Sequence, residues 1–214
     1  MNKLFGEFLG TLILCAVALV SRDPLAIAFA LAIVIYSLGY LSGGHFNPAV
    51  SVAMWLRGKM GKTEMLRYFA AQFSGALGGF VAFKLLGGAS GAGPAELLSG
   101  IAGLPPEARP EPAMSPFIAG EFFFTFLLAS TALHVTTAKQ LAGNQFYGAA
   151  IGLCMYVGSR CAGGFSIGAF NPALGLGLVL SGAVPFWYLF IYLLAGAAAG
   201  TAAATVYRLL NPND

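Results

Sequence analysis

The chain has 214 residues, 58% of them hydrophobic and 9% charged, whereas about a quarter of a soluble domain is charged. Such a chain cannot cover a water-facing surface, so lipid is its solvent, and its 29 glycines and 18 phenylalanines fit membrane helices that pack closely. The formal net charge of +3 comes without a basic stripe or an aromatic-interleaved patch, which excludes a nucleic-acid partner.

The N-terminal residues pass directly into an apolar run, Leu4–Val20, with no small-residue cleavage site, so this run reads as a retained first span. A second run covers Leu25–Leu41, and a short apolar stretch of about ten residues opens at Pro48. The third span is Met65–Leu86. Residues 88–115 are rich in Gly and Pro, carry Glu96, Glu107 and Glu111, and read as an irregular external loop. Further spans follow at Pro116–Thr136, Phe146–Gly163 and Pro185–Leu209, with a second short stretch at Pro172 before the last of them. The expectation is a single all-α membrane domain over 1–214, with six spans and two re-entrant segments too short to cross. Lys3, Arg57, Lys59, Lys62, Arg67, Lys139 and Arg208 fall on one side of it, which places both termini in the cytoplasm. Cys15, Cys154 and Cys161 show no metal-like pairing and read as packing residues; no metal or cofactor is expected.

The chain repeats itself. Gly6-Glu7-Phe8 is echoed by Gly120-Glu121-Phe122, and Phe46-Asn47-Pro48-Ala49 by Phe170-Asn171-Pro172-Ala173. The halves are approximately 1–87 and 116–210. Three spans per half is an odd number, so the second half enters the membrane from the opposite side and the short segments approach the midplane from opposite faces.

In each Asn-Pro-Ala triplet, Pro suits the first helical position and Asn the cap before it. Two helix starts at the midplane put two positive dipole ends there, beside the Asn47 and Asn171 amides. A water passing in single file turns its oxygen to these donors, and cations meet a repulsive field.

The stretch Ser42-Gly-Gly-His-Phe-Asn-Pro-Ala-Val50, the Gly6-Glu-Phe-Leu-Gly-Thr11 opening and the second triplet closely resemble the aquaporin, or major intrinsic protein, family in its bacterial type. The resemblance covers essentially the whole chain. It implies a right-handed bundle of six spans and two half-helices, a pore within each monomer and a homotetramer in the inner (plasma) membrane. It also implies that Asn47, Pro48, Ala49, Asn171, Pro172 and Ala173 form the pore centre, that His45 lines the cytoplasmic half, and that Glu7 and Glu121 brace the re-entrant backbone.

One feature departs from the family. Water-selective members place Arg directly after the second triplet, where this chain has Leu174, and counting from the triplets gives Ile27, Ser159 and Gly168 as the other filter positions. A filter of Ile, Ser, Gly and Leu has no fixed charge, and Arg160, next to Ser159, is a candidate replacement by proximity. The reading is a passive, non-enzymatic channel for water and small neutral solutes such as glycerol, urea, hydrogen peroxide or ammonia. A secondary transporter and a structural protein with a vestigial pore are the alternatives. A transporter needs a coupling-ion site, for which Glu7 and Glu121 are the only in-span carboxylates.

Overall fold

The protein is described from a computed structural model, for residues 2–88 and 113–214. Most of the 88–115 loop, with Glu96, Glu107 and Glu111, therefore lies outside the described residues.

Eight α-helices form in the described residues: α1 Asn2–Ser21, α2 Pro24–Ser42, α3 Pro48–Leu56, α4 Lys62–Leu85, α5 Met114–Thr137, α6 Tyr147–Ala162, α7 Pro172–Leu180 and α8 Tyr188–Leu210. Local chemistry sets several boundaries. Asp23 caps α2, its Oδ1 accepting the Ala26 N–H at 2.8 Å, and Pro24 takes the first helical position. Gly43, at φ 95°, ends α2 in the left-handed conformation that glycine adopts without strain. The last span starts at Tyr188 rather than Pro185, because the N–H groups of Tyr188 and Leu189 close turns onto Pro185 and Phe186.

Helices α1, α2, α5 and α8 are each long and apolar enough to cross a membrane, which makes this a multi-pass membrane protein. The other two expected spans are less plain. Helix α4 has 24 residues but carries Lys62, Glu64, Arg67 and Lys84 towards its ends. Helix α6 has 16 residues, about 24 Å of rise, short of a hydrocarbon core of about 30 Å. The chain beyond it runs on without helix through 163–170, and 166–170 are buried. Irregular backbone at membrane depth is tolerated only in such protein surroundings.

The bundle turns large apolar side chains outward and keeps a small set of polar groups within a mainly apolar interior. Phe29, Ile33, Leu153 and Leu194 are 59–73% exposed, while Glu7, Thr11, Ser51 and Gln72 are wholly buried. Lipid offers no hydrophobic drive for helices to associate, so close backbone contact holds them. A Cβ at Gly75 on α4 would lie 2.4 Å from the Phe8 carbonyl oxygen of α1, and one at Gly200 on α8 would lie 2.4 Å from that of Ala49 on α3. The short helices dock across the halves: α3 packs on α8, and α7 on α1 and α4.

One end of the bundle is tied by Asp214. Its Oδ2 accepts the Tyr207 hydroxyl at 2.5 Å and the Lys139 N–H at 3.2 Å, and Lys139 Nζ and Arg57 lie 3.6 and 3.7 Å from the carboxylate. The Tyr207 hydrogen bond, helped by Lys139 and Arg57, holds the Asp214 carboxyl below its usual range against the opposing effect of burial. Arg57 also stacks on the Tyr207 ring, 4.6 Å from its centroid.

Candidate functional site

The site is built from two cradles, each a buried carboxylate behind a turn of irregular backbone. In the first, Glu7 Oε1 accepts Ser42 Oγ at 2.6 Å and the His45 N–H at 3.0 Å, and Oε2 accepts the Phe46 N–H and Gln72 Nε2, both at 2.7 Å. In the second, Glu121 accepts Ser166 Oγ in a short contact, the Ala169 N–H at 3.2 Å and the Phe170 N–H at 2.9 Å. Each serine also takes the glycine N–H two residues on, Gly44 at 3.2 Å and Gly168 at 3.0 Å. Without a carboxylate these buried N–H groups would have no partner at membrane depth.

The carboxylates hold the next residues in an unusual backbone. Phe46 and Phe170 sit at φ 48° and 47°, the left-handed region, uncommon for a bulky residue and kept only where surroundings over-determine it. The following asparagines are extended, at φ −157° and −156°, as a residue before Pro must be. Asn47 Oδ1 then caps α3 by accepting the Ala49 N–H, and Asn171 Oδ1 caps α7 by accepting the Ala173 N–H, both at 2.9 Å. Both Asn side chains thus have their oxygen fixed and their amino group turned away from their own helix.

These amino groups cross over. Asn47 Nδ2 donates to the Phe170 carbonyl and Asn171 Nδ2 donates to the Phe46 carbonyl, each at 2.9 Å. The left-handed phenylalanines therefore aim their carbonyls at the opposite half. Each amide has two hydrogens, so one remains free to donate into the cavity that Asn47 and Asn171 both line.

Three cavities surround this centre. The middle one, about 20 Å³, is lined by His45, Asn47, Asn171, Leu14, Leu31 and Met155 among others. Towards the Arg22 end lies one of about 30 Å³, lined by Arg22, Ile27, Met155, Gly168 and Leu174 with several apolar neighbours. Met155, Ala169 and Leu174 line both and so form the wall between them. Towards the end carrying Lys3 and Lys59, a wider vestibule of about 310 Å³ opens, and His45 lines both it and the middle cavity. His45 Nδ1 lies 3.0 Å from Ser51 Oγ, and its ring rests on Tyr68, centroids 5.1 Å apart. Since one water needs roughly 10–15 Å³ of such space, each narrow cavity holds one or two.

The structure brings together most of the residues singled out from sequence. Ile27, Gly168 and Leu174 share the cavity at the Arg22 end, and Asn47, Asn171 and His45 share the middle one. Pro48, Ala49, Pro172 and Ala173 are buried in the first turns of α3 and α7. Ser159 lies elsewhere. It is 2% exposed, its Oγ has no hydrogen-bond partner, and its Cα would lie 3.3 Å from a Cβ at Gly168, so it backs the loop instead of lining the cavity. Met155, one turn earlier on α6, faces the cavity. Arg160 is exposed and is not among the lining residues, whereas Arg22 is.

Sequence reasoning passed over Met155, Arg22, Gln72 and the Phe46 and Phe170 carbonyls. The Phe preceding each Asn-Pro-Ala was a usable signal for the last of these. Gln72, a wholly buried amide in the third span, was another.

Two capped half-helices, crossed amide to carbonyl around a narrow passage inside a membrane bundle, define a membrane channel. The chain belongs to the major intrinsic protein family, whose match spans residues 18–207. It is 32% identical to glycerol uptake facilitator protein-like 6 of Lactiplantibacillus plantarum, over the full length of both chains. It is 33% identical to the probable aquaporin AqpM of Archaeoglobus fulgidus over 190 residues, 87% of this chain and 74% of that one. Among solved structures it resembles the aquaglyceroporin from Plasmodium falciparum with a TM-score of 0.72 at 22% identity, covering 99% of this chain and 97% of that chain, a likeness of fold.

Proposed function

We propose that this protein is a passive channel for water and for neutral solutes small enough to follow it. The observation that carries the reading is the pair of crossed asparagines beside cavities of about 20 and 30 Å³. A water in the middle cavity accepts from the remaining amide hydrogens of Asn47 and Asn171, so its own hydrogens point outward and the hydrogen-bond chain along the file reverses at that point. Proton hopping needs an unreversed chain. The positive ends of α3 and α7 oppose cations at the same place.

The passage on the Arg22 side is apolar for most of its wall, with Ile27, Met155 and Leu174 as the side chains that set its width and Gly168 as the loop position beside them. That size favours water, ammonia and hydrogen peroxide over glycerol and urea. Neither Glu7 nor Glu121 lines these cavities, and their oxygens are occupied by the cradle donors, which supports a channel over an ion-coupled carrier. In the same reading, the basic end faces the cytoplasm of a cell with this protein in its plasma membrane, residues 1–87 and 116–210 are the inverted halves, and the channel is a homotetramer.

Stopped-flow light scattering on proteoliposomes tests it. Shrinkage under an impermeant osmolyte reads water flux, and re-swelling under glycerol or urea reads solute entry. Fast shrinkage with slow glycerol entry is expected. Rapid glycerol entry that is abolished in Leu174→Arg makes the apolar passage wider than described and the protein a solute facilitator.

A further inference from the structure

We propose that Arg22 is the residue that turns cations away from the outer mouth of this pore, an inference that rests on the channel reading above. Arg22 occupies the two-residue link between α1 and α2 and lines the same cavity as Ile27, Gly168 and Leu174. Among the described residues it is the one charged residue lining that cavity; the remaining walls include Cys15, Leu19, Met155 and Leu178. A guanidinium stays charged at any physiological pH. Apolar walls of low dielectric carry its field into the passage instead of letting water screen it.

The backbone carries a second observation. Arg22 has φ 53°, in the left-handed region that glycine or asparagine adopts at least cost. Its neighbours fix the link: the Asp23 N–H reaches Ser21 Oγ at 3.4 Å, and the Asp23 carboxylate accepts the Ala26 N–H at 2.8 Å. That carboxylate is thereby engaged with the N-terminus of α2, and it is not among the groups lining the cavity. A long cationic side chain held where a small residue would be unstrained is the kind of outlier that points to a role. Leu174, at the position where the family resemblance implies Arg, brings no charge to the cavity, and Arg22 is the lining residue that does.

The test uses the full chain in proteoliposomes, with water flux followed by light scattering and potassium entry by an ion-sensitive dye. Arg22→Asn keeps a residue that tolerates the left-handed backbone and removes the charge. Relative to the water it conducts, this variant is expected to pass potassium about tenfold faster than the native protein, because it removes an electrostatic barrier. Arg22→Lys is expected to remain as tight as the native protein, and so is Arg160→Asn. A folded, water-conducting Arg22→Asn that is no leakier to potassium overturns the inference, and so does an equal leak in Arg22→Lys. If Arg22→Asn does not fold, Arg22→Gly suits the same φ and decides it by the same comparison. A native protein that moves no water fails the channel reading and this inference together; a water-conducting native protein beside a tight Arg22→Asn fails this inference alone.

Discussion

The two cradles do the same job with unequal means. Both aim a left-handed phenylalanine carbonyl across the midplane and cap a half-helix with asparagine, yet the first gives its carboxylate an extra donor from a neighbouring helix. Gln72 of α4 donates to Glu7 at 2.7 Å and to Ser51 at 3.0 Å, and Tyr68 donates to the Ser42 carbonyl at 2.7 Å. Around Glu121 the donors come from the loop itself, and the nearby Tyr192 hydroxyl is buried without a hydrogen-bond partner. The functional geometry therefore requires a carboxylate, a serine and a left-handed residue before the asparagine, while cross-bracing from a third helix is an addition confined to one half.

The largest break in this comparison comes from removing a carboxylate. Glu7→Ala leaves two buried backbone N–H groups, a hydroxyl and an amide without their acceptor, at a cost of about 3–5 kcal/mol. It should prevent recovery of folded, monodisperse protein in detergent. Glu121→Ala should be less severe, by thermal unfolding followed by size-exclusion chromatography, because Glu121 accepts three such donors instead of four. Equal losses would mean that Gln72 adds nothing.

Next in size is close packing. Gly200→Ala puts a methyl 2.4 Å from the Ala49 carbonyl oxygen and should lower stability by about 1–3 kcal/mol as α3 is pushed from α8. Water flux should fall with it, since α3 carries the Asn47 cap. Gln72→Met keeps the volume but converts the first cradle to the second's pattern. It also removes the orphaned Gln72 Oε1, so the net loss should be about 1 kcal/mol, read as a small shift in unfolding midpoint with water flux retained.

The smallest effect lies outside both cradles, at Asp214. Its carboxyl is held below the usual range by the Tyr207 hydroxyl. A depressed carboxyl contributes stability that is present above its unfolded pKa, about 3.9, and that is lost as pH falls through the lower folded value. Asp214→Asn should therefore unfold slightly earlier than the native protein at neutral pH, and the gap should close in strong acid. A gap that widens on acidification would contradict this placement of the charge.

Much of this was legible in the sequence for physical reasons. Apolar length marks α1, α2, α5 and α8, and the paired Asn-Pro-Ala triplets mark the half-helices because Pro after Asn forces an extended cap followed by a helix start. The roles open to Glu7 and Glu121 followed from the cost of a carboxylate inside a span. What stayed hidden depends on rotation and depth. Counting back from the second triplet reaches Ser159, but the non-helical segment 163–170 lies between, and it places Met155 at the cavity and Ser159 behind Gly168. No motif marks Arg22, which lines the cavity from a two-residue link whose positive φ local sequence does not encode. The exchange of amide and carbonyl between Asn47, Phe170, Asn171 and Phe46 joins residues more than 120 positions apart, a pairing that local propensity does not encode.

Whether the crossed asparagines form the conducting centre is decided by osmotic water flux per reconstituted protein in proteoliposomes. The native chain is to be compared with Asn47→Leu/Asn171→Leu and with protein-free vesicles. Native flux should stand well above that of protein-free vesicles, and most of it should be lost in the double variant recovered as folded protein. Native flux no faster than that of protein-free vesicles, or an undiminished double variant, would contradict it.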